Sequence, residues 1–567
     1  MRWAISIGVI AVVIATSAAV AAIIAGKAST ATVLGYVPDH SIAYVEVRLD
    51  LPGDQRRAVG EFLSTFPGFA DQAALDSKLD QTLDDLVKKA TSDAQTYTQD
   101  IRPWFDGEIA ASVGPLPPAS AISGGGATAA AAFRGLVLMS VKDPAGAQAW
   151  FDAAFVKTGA KTTTQAYDGA SLTVFEKTGG IQGAFAIVDG KVAVAGDIDS
   201  VKAAVDTKGS GAFASEAGPK AALASLSDDH VGFTYFAFRP LLDWSAEVSK
   251  TMGGMTSTTL SAAMQKFIPD WGAYALRFQS DALVLELTSD VPETRLGPTS
   301  NTTSTVAEHI PSTAVVAAIS HDTGKTIKQT MDVYRSEPTL KPAMDQIDKA
   351  LALVGGPDAA FGWAGDTAIV VNVSDGTPEA GVIVQPTDKA AADHLLTALR
   401  AFIALGGAQQ GITVRDETYN GATITTFDLG DLKTLAAKAG QNDPAIVTLP
   451  TGHVEISYAV TDQVVVIGSG PGFVKHILDT TKDTSLASVD RYKKLADRAG
   501  AGTGSTFIDI SAIRGLIEKA AGDAAGASAM TKYTSDVKPF LEPFDALYAS
   551  GTTGSDVTRS TVFITVK

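Results

Sequence analysis

A chain of 567 residues is longer than one ordinary core accommodates, so at least two domains are expected. Hydrophobic residues at 46% exclude disorder for the bulk of the chain, and a net charge of −17 with no dense Lys/Arg run excludes a nucleic-acid binder. Cysteine is absent, which excludes disulfides, thiolate metal sites, a Cys nucleophile and a lipidated N-terminal Cys.

The first predicted element is the opening segment. Between Arg2 and Lys27 lie 24 residues without a charge, about 36 Å as a helix, against a hydrocarbon core of about 30 Å. Its apolar surface comes from Trp3, Ile5, Ile7, Val9, Ile10, Val12, Val13, Ile14, Val20, Ile23 and Ile24. Residues 1–28 are therefore expected to be a transmembrane anchor. A signal peptide cleaved after Ala28 is the alternative reading, with an apolar region usually only about 7–15 residues long.

Extended segments follow at Ala43–Val47, Glu108–Val113 and Leu136–Val141. A helix is predicted over Asp143–Gly159, with Asp143 as N-cap, Pro144 at the first helical position and Gly159 near its end. Further strands are read at Leu172–Phe175, Ala184–Val188 and Val192–Ala195, and the Asp168-Gly169 and Asp189-Gly190 pairs mark tight hairpins. The run Leu79–Lys89 reads as a helix with Leu79, Leu83 and Leu86 inward and Asp80, Asp84 and Asp85 in solvent. Large apolar residues recur at helical spacing over Phe236–Met255 and Met264–Phe278, and again in Ile508–Ala520 and Val537–Ala549. They read as helix pairs packed on the sheet, with an apolar ligand pocket as the alternative.

The chain then repeats itself in order. "VPDHSIAYVEV" (Val37–Val47) returns as "IPSTAVVAAIS" (Ile310–Ser320), and "GLVLMSVKD" (Gly135–Asp143) as "GVIVQPTD" (Gly381–Asp388). "YDGASLTVF" (Tyr167–Phe175) returns as "YNGATITTF" (Tyr419–Phe427), and "VKAAVDT" (Val201–Thr207) as "VKHILDT" (Val474–Thr480). The helix over Asp388–Gly407 is the counterpart of that over Asp143–Gly159. The expected fold is α+β: an N-terminal transmembrane helix followed by two tandem modules, 29–295 and 310–567, each a mainly antiparallel sheet covered by helices. The stretch 296–309, rich in Ser, Thr and Pro, is the linker.

The anchor, the "VPDHSIAYVEV" opening, "RPWFDGEIAASVG" and "KVAVAGDIDSVKAAV" together resemble a bacterial family catalogued as a domain of unknown function, DUF3352. The resemblance implies an exported or membrane-anchored protein and carries no catalytic residues.

One stretch invites a cofactor. "VVVIGSGPGF" (Val464–Phe473) looks like a strand running into a dinucleotide loop through Gly468, Gly470 and Gly472. That reading is rejected: the third small position is Phe473, and the corresponding turn of the first module is Asp-Ile-Asp-Ser (Asp197–Ser200), whose acids repel a pyrophosphate. The seven histidines show no metal spacing; His321-Asp322 reads as a turn, and Ser469 stands one place too early for a nucleophile elbow. No catalytic, cofactor or metal residue is assigned. The expectation is a non-enzymatic, single-pass, extracytoplasmic protein of the bacterial envelope, secreted if the N-terminal segment is cleaved. Its partners are the membrane, an envelope component and no nucleic acid. A carrier of lipid or another hydrophobic ligand is the alternative, and a hydrolase or redox enzyme comes third.

Overall fold

The computed structural model describes residues 31–567 except 70, 72–74, 92–93, 123–131, 158–159, 178–180, 252–260, 375, 408–410, 432–452 and 525–526. The anchor positions Trp3 to Ile24 lie outside the described residues. Among the described residues no helix is long and apolar enough to cross a membrane.

The first half contributes β1 (Ala43–Arg48), β2 (Phe105–Val113), β3 (Gly135–Val141), β4 (Lys161–Tyr167), β5 (Ala170–Lys177), β6 (Ile181–Val188), β7 (Val192–Gly196), β8 (Gly232–Ala237), β9 (Trp271–Gln279) and β10 (Ala282–Asp290). The second contributes β11 (Ala314–Ser320), β12 (Ala364–Ser374), β13 (Thr377–Pro386), β14 (Thr413–Tyr419), β15 (Ala422–Asp431), β16 (His453–Val460), β17 (Val465–Gly468), β18 (Gly504–Asp509), β19 (Phe544–Thr553) and β20 (Val557–Val566). All pair antiparallel in one sheet. Its spatial order is β4-β5-β6-β7-β3-β2-β1-β8-β9-β10, then β20-β19-β18-β11-β12-β13-β17-β16-β15-β14. Each strand of the first half has its counterpart ten strands later, placed symmetrically about the β10–β20 pair.

Local chemistry accounts for the turns and caps. Asp168-Gly169, Asp189-Gly190 and Asn420-Gly421 all take positive φ at both residues, in two-residue hairpins at 168–169 and 420–421 and a three-residue turn at 189–191, a conformation that Asx and Gly adopt at least cost. The helix Pro144–Lys157 is capped by Asp143, whose carboxylate accepts from Gly146 N at 3.1 Å; Asp388 accepts from Ala391 N at 3.0 Å on Lys389–Gly407.

Successive side chains point to opposite faces of the sheet. The back face carries Tyr44, Leu138 and Val194 in the first half and Ile319, Val370 and Val466 in the second. It is sealed by the helices Ile198–Asp206, Ala217–Ser225, Pro471–Asp479 and Asp490–Ala499. The front face of the first half buries Val47, Ile109, Phe185 and Phe278 under the helices Gln55–Ser64, Leu75–Thr91 and Pro144–Lys157. Among the described residues the front core of the second half is smaller, centred on Trp363, Val384, Leu396 and Tyr458.

Two sequence readings are corrected. Asp80 and Asp84 do not simply face solvent: Asp80 pairs with Arg102 at 2.6 Å, and Asp84 accepts from Thr98 N and Oγ1, each at 2.8 Å. The apolar run ending in Phe278 is strand β9 rather than a helix, because Trp271, Ala273 and Ala275 alternate onto the back core with Tyr274 and Phe278 opposite. Likewise Phe544–Thr553 is strand β19.

Candidate functional site

The front face changes character across the seam between the halves. Register aligns Leu276, Leu285, Val562, Ala549, Thr506, Ala318 and Ile369 in one row across seven strands. Each is at least partly exposed, and Ile369, in the interior of β12, is 57% exposed. A β-branched aliphatic in the middle of a large sheet ordinarily lies beneath another element. The helix Lys389–Gly407 lies further along the second half, against β14 and β16. It buries Ala392 and Leu396 and presents Leu399, Phe402 and Leu405 outward, Leu405 at 83% exposure. Among the described residues, the four back-face helices carry no strongly exposed large apolar side chain. The apolar excess therefore belongs to the front, as a semi-covered strip between sheet and helices.

A second feature is polar and sealed on the back face. Glu46 and Arg48 of β1, Asp50 just beyond it and Glu108 of β2 are all buried. Arg48 donates to both oxygens of Asp50, at 3.1 and 2.6 Å, and lies 3.5 Å from Glu108. The other oxygen of Glu108 accepts from the backbone N–H of Thr32 and Val33, at 2.6 and 3.0 Å, where the chain enters the short helix Val33–Tyr36. Burial first, and then the neighbouring Glu46 carboxylate, push Glu108 up to about 8 despite those bonds and Arg48. The Tyr44 hydroxyl donates to Glu46 Oε2 at 2.5 Å; burial, then Glu46, hold this phenol well above its ordinary value. Among the described residues Glu46 Oε1 has no hydrogen-bond partner, and His230 Nε2 is 3.9 Å away. The cluster can fix the incoming strap to the sheet; its burial keeps it from any external substrate. In the second half, just past the end of the β11–β12 ladder, His321 Nδ1 lies 3.0 Å from Asp366 Oδ2. The "VEVRLD" alternation is the signal for the inward charges, and charge in a strand is ordinarily read as solvent-facing.

The glycine-rich stretch is a packed turn. Phe473, 1% exposed, lies so close over Gly468 that an added Cβ there would meet its ring at 2.2 Å; at Gly381 the distance is 2.3 Å. Gly470 is the N-cap of the helix Pro471–Asp479, with φ 143°, and an added Cβ on Gly472 would meet only the Glu379 carboxylate. Ser469 Oγ accepts from Ala380 N at 3.0 Å on the neighbouring strand. At the matching turn Asp197 accepts from Gly135 N at 3.0 Å and caps the helix through Ser200 N. Both turns use a side-chain oxygen to hold the adjacent strand, and Asp197 also occupies a helix-end N–H that a phosphate would need.

Among the described residues no group of three His, Asp or Glu is placed to hold a metal. A cavity of about 480 Å³ lies between Arg239, Lys266, Asp270, Asp290 and Glu293. Its charges pair with one another, Arg239 with Asp270 at 2.8 Å and Lys266 with Glu293 at 2.6 Å.

No curated protein matches the chain. A solved chain described as crystal form III of TP0453 aligns at 9% identity over 47% of this chain and 81% of that one; its TM-score of 0.23 carries no argument about fold or function. A family model described as "Protein of unknown function (DUF3352)" matches residues 3–565, from the apolar segment to β20, and the chain belongs to that family.

Proposed function

We propose that this is a non-enzymatic binding protein of the bacterial envelope, tethered through residues 1–28, that holds the acyl part of a lipid against the front strip. The observation that carries the reading is the one-sided distribution of apolar surface: Ile369 on the sheet and Leu399, Phe402 and Leu405 on the helix Lys389–Gly407 are exposed, while the back-face helices are apolar only inward. Exposed apolar side chains gathered on one side of a sheet favour a binding surface there. Covering it gains about 25 cal/mol per Å² of apolar area. The 24 uncharged residues after Arg2 support the tether and an extracytoplasmic location for the rest. The symmetric strand order about β10–β20 and the ordered sequence matches support two copies of one module, with the front core thinner in the second.

The test is native mass spectrometry of the full chain released from membranes, followed by titration with a fluorescent fatty acid. The expected result is a co-purifying mass of lipid size, with probe binding weakened at least tenfold by Ile369→Glu and little changed by a back-face surface change such as Lys493→Glu. A bare polypeptide mass together with no saturable probe binding would overturn the reading.

A further inference from the structure

The two edges of the sheet are protected very differently. β14 carries Arg415, Asp416 and Glu417, each held by its own fold: to Glu455 at 2.7 Å, to Arg400 at 2.5 Å and to Lys475 at 2.8 Å. Charged edges of this kind oppose pairing with another chain. β4 reads Lys-Thr-Thr-Thr-Gln-Ala-Tyr, with a charge only at its first residue and no proline. Its register with β5 runs unbroken from Lys161–Glu176 to Tyr167–Ala170, and all its residues but Tyr167 are exposed. In an antiparallel ladder alternate residues turn their N–H and C=O groups away from the partner strand. Among the described residues no other segment takes those of β4.

We infer that β4 is a docking edge for β4 of a second copy of this chain, paired antiparallel about a two-fold axis at Thr164. The strand's own chemistry selects that occupant. The pairing sets Thr163 opposite Gln165, Thr162 opposite Ala166 and Lys161 opposite Tyr167. No like charges meet, hydroxyls and an amide lie within hydrogen-bond reach, and an ammonium faces an aromatic ring. The same operation on β14 sets Asp416 against Asp416. Joining β4 of one copy to β14 of another would be head-to-tail and would not close at two chains, whereas the β4 pair is isologous and does. A single strand pair buries little area, so the dimer is weak and exchanging. The inference stands on the edge strands alone and does not depend on the lipid reading.

A chain without native cysteine makes disulfide trapping specific. The full chain would carry Thr164→Cys, or Thr418→Cys on β14 as control, and be oxidised with copper phenanthroline at high protein concentration. Thr164→Cys is expected to give a covalent dimer and Thr418→Cys to stay monomeric. A mixture of Thr162→Cys and Ala166→Cys chains is expected to cross-link faster than either alone. Adding Thr164→Lys to both chains of that mixture should abolish the cross-link with the melting temperature unchanged, because residue 164 is exposed in the monomer. The inference is overturned if Thr164→Cys traps no more dimer than Thr418→Cys. Persistence of the mixed cross-link with Thr164→Lys present would overturn it equally.

Discussion

Glu108 shows how one buried carboxyl sets a pH dependence. Its pKa rises from 4.5 to about 8, so the folded chain holds this proton more tightly than the unfolded chain does. Stability from it is fully present below the ordinary glutamate value and is lost as pH rises through about 8. Each tenfold gain in proton affinity on folding is worth about 1.4 kcal/mol. Glu108→Gln keeps an oxygen to accept from Thr32 and Val33 and removes the titration. Melting temperature measured from about pH 5 to about pH 9 is expected to fall less steeply for Glu108→Gln than for the parent. Parallel curves would assign the slope to another group. Such inward charges are hard to read from sequence. Glu46, Arg48 and Asp50 alternate with Val47 and Leu49 as a half-solvated strand would, and which face meets water depends on the distant strap at Thr32 and on His230.

Elements are legible wherever their signals are local. The Asx-Gly hairpins, the Asp143 and Asp388 caps and the strands β1, β2, β3, β5, β6 and β7 follow from neighbouring residues, and the structure has them within a few positions. β9 defeats a local reading because Tyr274 and Phe278 sit four apart in a run that satisfies helical and alternating periods alike. Only pairing with β8 and β10 decides between them. The thinly covered front row is not legible at all, since it is assembled from seven strands scattered between residues 276 and 562. The glycine-rich turn gives a test at this scale. Gly468→Ala forces a Cβ against the buried Phe473 ring and is expected to cost about 1–3 kcal/mol. Gly472→Ala meets only the far end of the Glu379 side chain and is expected to stay within about 0.5 kcal/mol of the parent. Denaturant unfolding of the two variants checks both values.

At the scale of the molecule, the halves share one sheet through a single strand pair. β10 and β20 are in register over nine residues, from Ala282–Thr565 to Asp290–Val557. Side-chain contacts flank the seam: Phe66 meets Phe544 edge-on with centroids 5.3 Å apart, Arg498 reaches Asp281 at 3.2 Å, and the Ser261 hydroxyl donates to Glu337. The linker adds to it, with Asn301 exchanging two hydrogen bonds with Thr553 at 2.9 and 2.8 Å. Each half alone would therefore expose a long edge of a kind unlike β4. In β10 the residues Leu283, Leu285 and Leu287 line one face, and in β20 Val562 and Ile564 do the same. Long apolar edges recruit other strands. Residues 31–300 expressed alone are thus expected to associate through β10 and to elute as oligomers. Co-expression with 301–567 should restore a 1:1 complex of the mass of residues 31–567, because β20 satisfies the same nine positions. Size-exclusion chromatography with light scattering separates the outcomes. A stable monomer of 31–300 would mean that β10 does not need its partner, and the two modules would then count as independently folding domains rather than halves of one sheet.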